Sequence, residues 1–239
     1  MSRPSSDATD AAREVSALYL FPTEGEAAGL RRRRADAAIA VVGVGMAEAA
    51  AGTVRALRVW RPRRAVLCGI AGACDAKLHA GDVVEIVEDS VAALPAAYRL
   101  SYLTPRRTSL PAARAVTVNV VGEAVASLSE PQMENYGTVL PVVEQMEGAA
   151  VAAVCRELET EYMHLRAISN HIGDKRSEWR VAEAVEALGA AAAAMDERHA
   201  QRPERHGCCG GRYVLRRRGC LPPTEYCGAD VCRKACVDL

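Results

Sequence analysis

Apolar positions along the chain follow two alternating rhythms. Short continuous apolar runs occur at residues 16–21 (SALYLF), 38–42 (AIAVV), 65–68 (AVLC), 82–87 (DVVEIV), 115–121 (AVTVNVV) and 163–168 (MHLRAI). Their length and β-branched content predict strands buried on both faces, as in a sheet covered by helices. Between them lie stretches with the helical period. Met46–Trp60 and Gly148–Glu161 are two of these, and a third carries Val181, Val185, Leu188, Ala192 and Met195 at steps of four and three. Strand and helix alternate, which predicts an α/β domain with three α/β/α layers around a mostly parallel central sheet. A ligand is then expected at the carboxyl ends of the strands.

The rhythm also sets boundaries. Residues 1–15 are polar and Ser/Asp-rich and read as a flexible leader, residues 16–198 as the domain, and residues 199–239 as a Cys/Arg-rich tail expected to be disordered. Residues 88–114, with Pro95, Pro105 and Pro111, read as a long loop over the site or at an oligomer contact. No internal repeat is visible.

Composition narrows the partners. Lys+Arg and Asp+Glu number 30 each, so nothing calls for nucleic acid or an acidic membrane surface. Every apolar stretch is broken well before the roughly 18 residues a bilayer requires, so no membrane partner is expected. The first residues lack the apolar segment of a secretory signal, which points to the cytoplasm. Of the nine cysteines, Cys68, Cys74 and Cys155 lie in apolar or Gly-rich core segments and six fall between Cys208 and Cys236. The tail spacings, from Cys208 and Cys209 through Cys220, Cys227 and Cys232, include no clean pair of C-x-x-C knuckles. A zinc site there has only weak support, and with His199 and His206 nearby metal binding by the tail stays an open alternative.

Two glycine-rich pieces follow strands: "VVGVGMAEAAAG" (41–52) and "CGIAGACD" (68–75). The first has Glu48 where a dinucleotide fingerprint needs its third glycine, and neither carries the Gly-Lys-Ser/Thr of a phosphate loop, so no nucleotide cofactor is indicated. Gly43 and Gly45 taken alone read as tight turns, while the small Gly69, Ala71 and Gly72 would let a flat ligand approach the backbone. Glu24 and Glu26 follow the first strand, and Glu147 opens a helix. Each alone is most simply a helix-start residue favoured by the helix dipole. Together with Asn170, Glu26 and Glu147 would meet at one edge of the sheet, as a site needs. The run Arg31 to Arg34 reads as a solvated face and Arg166 as a half-buried structural residue.

In this order, "PTEGEAAGL", "VGVGMAEAA", "CGIAGACDAKLHAGDVV", "MEGAAVAAVC" and "RAISN" resemble the nucleoside phosphorylase and nucleosidase superfamily from about Leu18 to Met195. The chain is most similar to the futalosine hydrolase branch of the menaquinone pathway and also similar to methylthioadenosine/S-adenosylhomocysteine nucleosidases. The resemblance implies a nucleoside phosphorylase-like fold and hydrolysis of the N-glycosidic bond of a purine nucleoside, without cofactor or metal, by a homodimer or higher homo-oligomer. It assigns Glu26 to activating the water, Glu147 to the ribose hydroxyls and Met146 to the sugar face. Ala71 and Gly72 would line the ribose and base pocket, with Asn170 facing the purine N7. Such a reaction passes through an oxocarbenium-like transition state, which two fixed carboxylates can serve.

Departures from the adenine-cleaving pattern refine the substrate. Asn170 stands where those enzymes carry Asp. A carboxamide cannot protonate N7 but can donate to N7 and O6, which suits a 6-oxopurine such as the hypoxanthine of futalosine. Gln145, preceded by Glu144, replaces an acid before the Met-Glu pair, and the segment from Glu26 to Ile39 is short, as in the futalosine branch. The chain's one Phe, Phe21, belongs to the first strand, so Tyr98, Tyr102 or Tyr136 would have to cover the base. Three alternatives stay open: an adenine-directed nucleosidase, a nucleoside phosphorylase, and a non-catalytic nucleoside-binding or scaffold protein.

Overall fold

A computed structural model describes residues 15–74, 76–122 and 140–195 together with Leu215–Arg216. The leader, Tyr136 and the tail cysteines lie outside the described residues. In chain order the elements are β1 (Ala17–Phe21), α1 (Glu24–Arg33), β2 (Ile39–Val41), α2 (Met46–Trp60), β3 (Arg64–Ala73), β4 (Val83–Val91), β5 (Ser101–Leu103), β6 (Ala112–Thr117), β7 (Val142–Gln145), α3 (Gly148–Glu157), β8 (Glu161–His171), α4 (Val181–Ala194) and β9 (Leu215–Arg216).

Alternation along β1 builds the layers. Leu18 and Leu20 point to one side, into a core with Ala49, Ala56 and Leu57 of α2 and Val151, Ala152 and Cys155 of α3. Tyr19 and Phe21 point to the other, against Ala27 and Leu30 of α1 and Ala184, Leu188 and Ala192 of α4. Helices therefore cover both faces, and each fully buried aliphatic side chain contributes roughly 1.5–3 kcal/mol. Cys68 and Cys155 are buried free thiols in these cores. Burial pushes the Cys155 thiol up to about 12, so it behaves as an apolar side chain.

The sheet is mixed. Five pairings are parallel (β1–β2, β1–β3, β3–β8, β4–β6, β6–β7) and four antiparallel (β3–β7, β4–β5, β4–β8, β5–β9). Because β8 pairs with both β3 and β4, while β7 and β6 also link those two, β3, β8, β4, β6 and β7 form a closed circuit. The run 115–121 is shifted: its strand begins at Ala112 and stops at Thr117. The segment 88–114 is not one loop, since it holds the end of β4, all of β5 and the start of β6. Pro105 and Pro111 flank short strands here rather than excluding them. The helix expected over Gly148–Glu161 ends at Glu157, and Glu161 instead starts β8 and pairs its carboxylate with Arg64 at 3.1 Å. Helix α1, outside the predicted helices, runs directly towards β2 with no strand between them. No described helix is long and apolar enough to cross a membrane.

Candidate active site

Helix α1 starts at Thr23, whose hydroxyl accepts from the Glu26 N–H at 3.2 Å. This is half of a capping box, but the Glu26 carboxylate does not return to the cap backbone. Its Oε1 accepts from the Ile70 N–H of β3 at 3.0 Å and its Oε2 from the Thr23 hydroxyl at 2.7 Å. The acid is thus pulled from the helix start across to the neighbouring strand, where it is buried. Burial raises its pKa, opposed by those two hydrogen bonds and by Arg166, and reinforced by Glu147.

Glu147 precedes α3 but does not cap it. The Glu147 and Gly148 N–H groups go to Gln145 Oε1 at 2.8 and 2.6 Å, and the Ala149 N–H goes to Thr117 Oγ1 at 2.9 Å. With the helix end satisfied by other side chains, the Glu147 carboxylate is released to the site. Its Oε1 accepts from the Gly45 N–H at 3.1 Å and its Oε2 from Arg166 Nη2 at 3.1 Å. Gly45 has φ of 83°, a left-handed conformation that a side chain would resist, and it stands at the start of α2 with its N–H committed to Glu147.

Arg166 is not half-buried as the sequence suggests but fully buried at 1% exposure. Alternation along β8 places Met163, Leu165 and Ala167 in the core under α1 and α4, leaving Tyr162, His164 and Arg166 on the face towards α3. The apolar run "MHLRAI" thus carries two polar side chains on its second face.

At the carboxyl end of β8 the register with β3 slips between Ala71 and Gly72, leaving Ser169 as the extra residue. This bulge lets consecutive residues, Ser169 and Asn170, both line one cavity. Asn170 Nδ2 donates to the His171 carbonyl at 2.9 Å and its Oδ1 accepts from Ser169 Oγ at 2.8 Å. A carbonyl requires a donor, so the amide orientation is fixed and one N–H is left for a ligand. The expectation of two separate donors to N7 and O6 therefore reduces to one. Gly72 packs closely beside it: a Cβ there would lie 2.9 Å from Ile172 Cδ1 and 3.2 Å from Asn170 Nδ2, so those side chains would have to shift.

The cavity measures about 730 Å³ and is lined by Glu26, Ala71, Gly72, Gln145, Met146, Glu147 and Asn170. All seven sequence-selected positions therefore meet, from β1–α1, β3, β7–α3 and β8. Glu144 lines it too, accepting from the Gly122 N–H at 2.7 Å. The aromatic expectation fails for the described tyrosines: Tyr98 is 71% exposed, Tyr102 lies under Arg156 at 5.5 Å, and neither reaches the cavity. Trp179, just before α4, lines it instead, with the Arg176 guanidinium 4.3 Å from its ring centre. The sequence around it, "DKRSEWRV", is charged and aperiodic, so the only signal was a large aromatic in a polar turn. Among the described residues no group of three or more His, Cys, Asp or Glu side chains is placed to hold a metal ion.

The fold and the cavity together define an α/β protein of nucleoside phosphorylase-like fold with its carboxylates at the carboxyl edge of the sheet. The family model of the phosphorylase superfamily matches residues 113–198. The 5'-methylthioadenosine/S-adenosylhomocysteine nucleosidase of Glaesserella parasuis serovar 5 is 26% identical over 163 residues, 59% of this chain and 70% of that protein. Two solved structures share the fold. The Campylobacter jejuni 5'-methylthioadenosine/S-adenosyl homocysteine nucleosidase has a TM-score of 0.60 at 17% identity, covering 77% of this chain and 97% of its own. A futalosine hydrolase mutant of Helicobacter pylori has a TM-score of 0.62 at 12% identity, covering 75% and 95%.

Proposed function

We propose that the protein hydrolyses the N-glycosidic bond of a purine nucleoside and that its substrate is futalosine. The observation that carries this reading is the convergence of Glu26, Glu147 and Asn170, 144 residues apart at the extremes (170 − 26), on one cavity. In the proposed reaction the C1′–N9 bond breaks with its electron pair going to the purine, while a water oxygen bonds to C1′. Glu26 takes the water proton, and its raised pKa makes it the better base once ionised. Glu147, held by Arg166 and Gly45, accepts from the ribose hydroxyls and opposes the positive charge growing on the sugar. The remaining Asn170 N–H meets N7 of the departing base, which takes its proton from solvent. Trp179 offers the aromatic face in the cavity.

Water is favoured over phosphate by the state of the arginines. Arg31 pairs with Glu24 at 3.1 Å, Arg32 and Arg33 with Glu186, and Arg34 with Asp36 at 2.9 Å. Arg166 is already matched to Glu147. The second reading, an adenine-directed nucleosidase, is favoured by the Glaesserella relative. Asn170 speaks against it, because its amide has no proton to give N7. Chromatography after incubation with futalosine, inosine and methylthioadenosine, with and without phosphate, tests the proposal. Hypoxanthine is expected from futalosine without phosphate. Adenine as the main product would replace it with the second reading, and turnover only with phosphate would make the enzyme a phosphorylase.

A further inference from the structure

Behind the carboxylates lies a buried polar ring that the reaction above does not use. Arg166 Nε donates to His164 Nε2 at 2.7 Å. Burial, with the Arg166 charge, lowers the His164 pKa well below its usual value, so the imidazole is neutral. Because Nε2 accepts, the ring proton sits on Nδ1. Nδ1 faces Asp89 Oδ2 across 3.7 Å and has no hydrogen-bond partner among the described residues. Asp89 also accepts from Thr117 Oγ1 at 2.9 Å and Gln145 Nε2 at 3.0 Å. Gln145 Oε1 closes the circuit by accepting from Arg166 Nη2 at 2.9 Å. Arg166, His164, Asp89 and Gln145 come from β8, β4 and β7, and all four are buried.

A satisfied core network is the simplest account of such a ring, but apolar side chains of similar volume would pack there without desolvating an ion pair. What sets this ring apart is where its outward bonds end. Arg166 Nη2 also holds Glu147 Oε2, and Arg166 Nη1 donates at 3.0 Å to the carbonyl of Ile70, whose own N–H holds Glu26 Oε1. Gln145 Oε1 takes the N–H of Glu147 itself. Helix α3 begins flush against the ring: a Cβ on Gly148 would lie 2.0 Å from Asp89 Oδ2 and 2.5 Å from His164 Cε1. Glu147 is therefore bonded directly to this guanidinium, and Glu26 is linked to it through the Ile70 backbone, with the guanidinium's rotamer fixed by the ring.

We infer that His164, Asp89 and Gln145 are positioning residues for the reaction: they lock Arg166 so that it presents Glu147 and the Ile70 peptide, and with it Glu26, in one fixed geometry. This rests on the nucleosidase reading. Arg166 has a long, rotamer-rich side chain, and holding it before substrate arrives is the preorganisation that oriented catalysis requires.

Two variants test it. In His164→Gln the side-chain oxygen can still accept from Arg166 Nε, whereas His164→Leu offers no acceptor. His164→Leu is expected to lower kcat by about 10- to 100-fold, the scale of a small misplacement at the chemistry, with KM changed by less than about threefold. His164→Gln should recover most of that loss. Wild-type kcat in both variants, or equal losses in both that follow Tm alone, would reduce the ring to packing and overturn the inference. Nitrogen-15 NMR of histidine-labelled protein needs no turnover: His164 should stay neutral with its proton on Nδ1 from about pH 6 to 8. A proton on Nε2, or titration near the ordinary histidine range, overturns it as well. A wild-type protein inactive on every nucleoside would instead remove the nucleosidase reading, while the tautomer still judges the ring.

Discussion

Burial of Glu26 is the largest influence on its pKa and raises it, while the Ile70 and Thr23 hydrogen bonds and Arg166 work in the opposite direction. The native protein then binds more protons than the unfolded chain in the window between the ordinary carboxyl pKa and the raised one. Stability owed to this group is present at low pH and is lost as pH rises through that window. Glu26→Gln removes the penalty of the buried charge and keeps an oxygen for the Ile70 N–H. Its turnover is expected to fall by about 10²- to 10⁴-fold. Its Tm should exceed that of the wild type at pH 8, and the gain should fade towards pH 4. Melting curves at the two pH values check this; an equal gain at both would mean that the ionised carboxylate is not the source. The fixed amide of Asn170 belongs to the same scale, since Ser169 and the His171 carbonyl leave only one N–H free to meet a ligand.

Helices α1 and α4 touch where both carry glycine. A Cβ on Gly189 would lie 2.4 Å from the Gly29 carbonyl carbon, and one on Gly29 would lie 2.4 Å from the Val185 oxygen, so backbone meets backbone there. Gly189→Ala must push α1 away from α4, and overpacking of this kind costs about 1–3 kcal/mol. Since α1 carries Glu26 near its start, kcat should fall with Tm, and kinetics beside a thermal melt would show whether the two move together. An unchanged kcat in a destabilised variant would mean that Glu26 is held by Thr23 and Ile70 irrespective of the helix crossing. Strongly periodic elements were legible in the sequence: α2 spans the predicted Met46–Trp60, and every predicted strand overlaps an observed one, although the run 115–121 does so only over its first three residues. Helix α1 was not legible, because the polar sequence EGEAAGLRRR has almost no apolar stripe beyond Ala27 and Leu30. Strand β7 escaped because VVEQ is short and buries Glu144 and Gln145 as well as Val142 and Val143. The seven cavity positions could be read because they fall in the quoted motifs that carry the family resemblance, at or just beyond the carboxyl ends of strands. Trp179 and the partnership of Asp89 with His164 could not, since nothing local marks residues that only the closing of the sheet brings together.

Closure of the sheet also sets how stability is distributed over the whole molecule. Strand β3 is hydrogen-bonded to β1, β7 and β8, and β8 is bonded to β3 and β4 with all but its two end residues buried. By contrast β2 pairs only with β1 over three half-buried residues, and β5, also three half-buried residues, pairs with β4 over three and with β9 over two. Local opening is easiest where few buried contacts and few paired neighbours must be given up. Amide hydrogen exchange should therefore be slowest in β3 and β8, close to the global unfolding limit, and fastest in β2 and β5. The cavity residues split between the two regimes. Arg166, Ile70 and Ala71 lie on the rigid pair, while Pro22 to Ala28 and Arg176 to Ala182 belong to turns and helix starts at its rim. A bound nucleoside should slow exchange over residues 22–28 and 176–182 and leave β3 and β8 almost unchanged, because they have little freedom left to lose. If ligand slowed β8 instead, the strand carrying Arg166 and Asn170 would be ordered only on binding, and a site built in advance on a closed frame would have to give way to one assembled by its substrate.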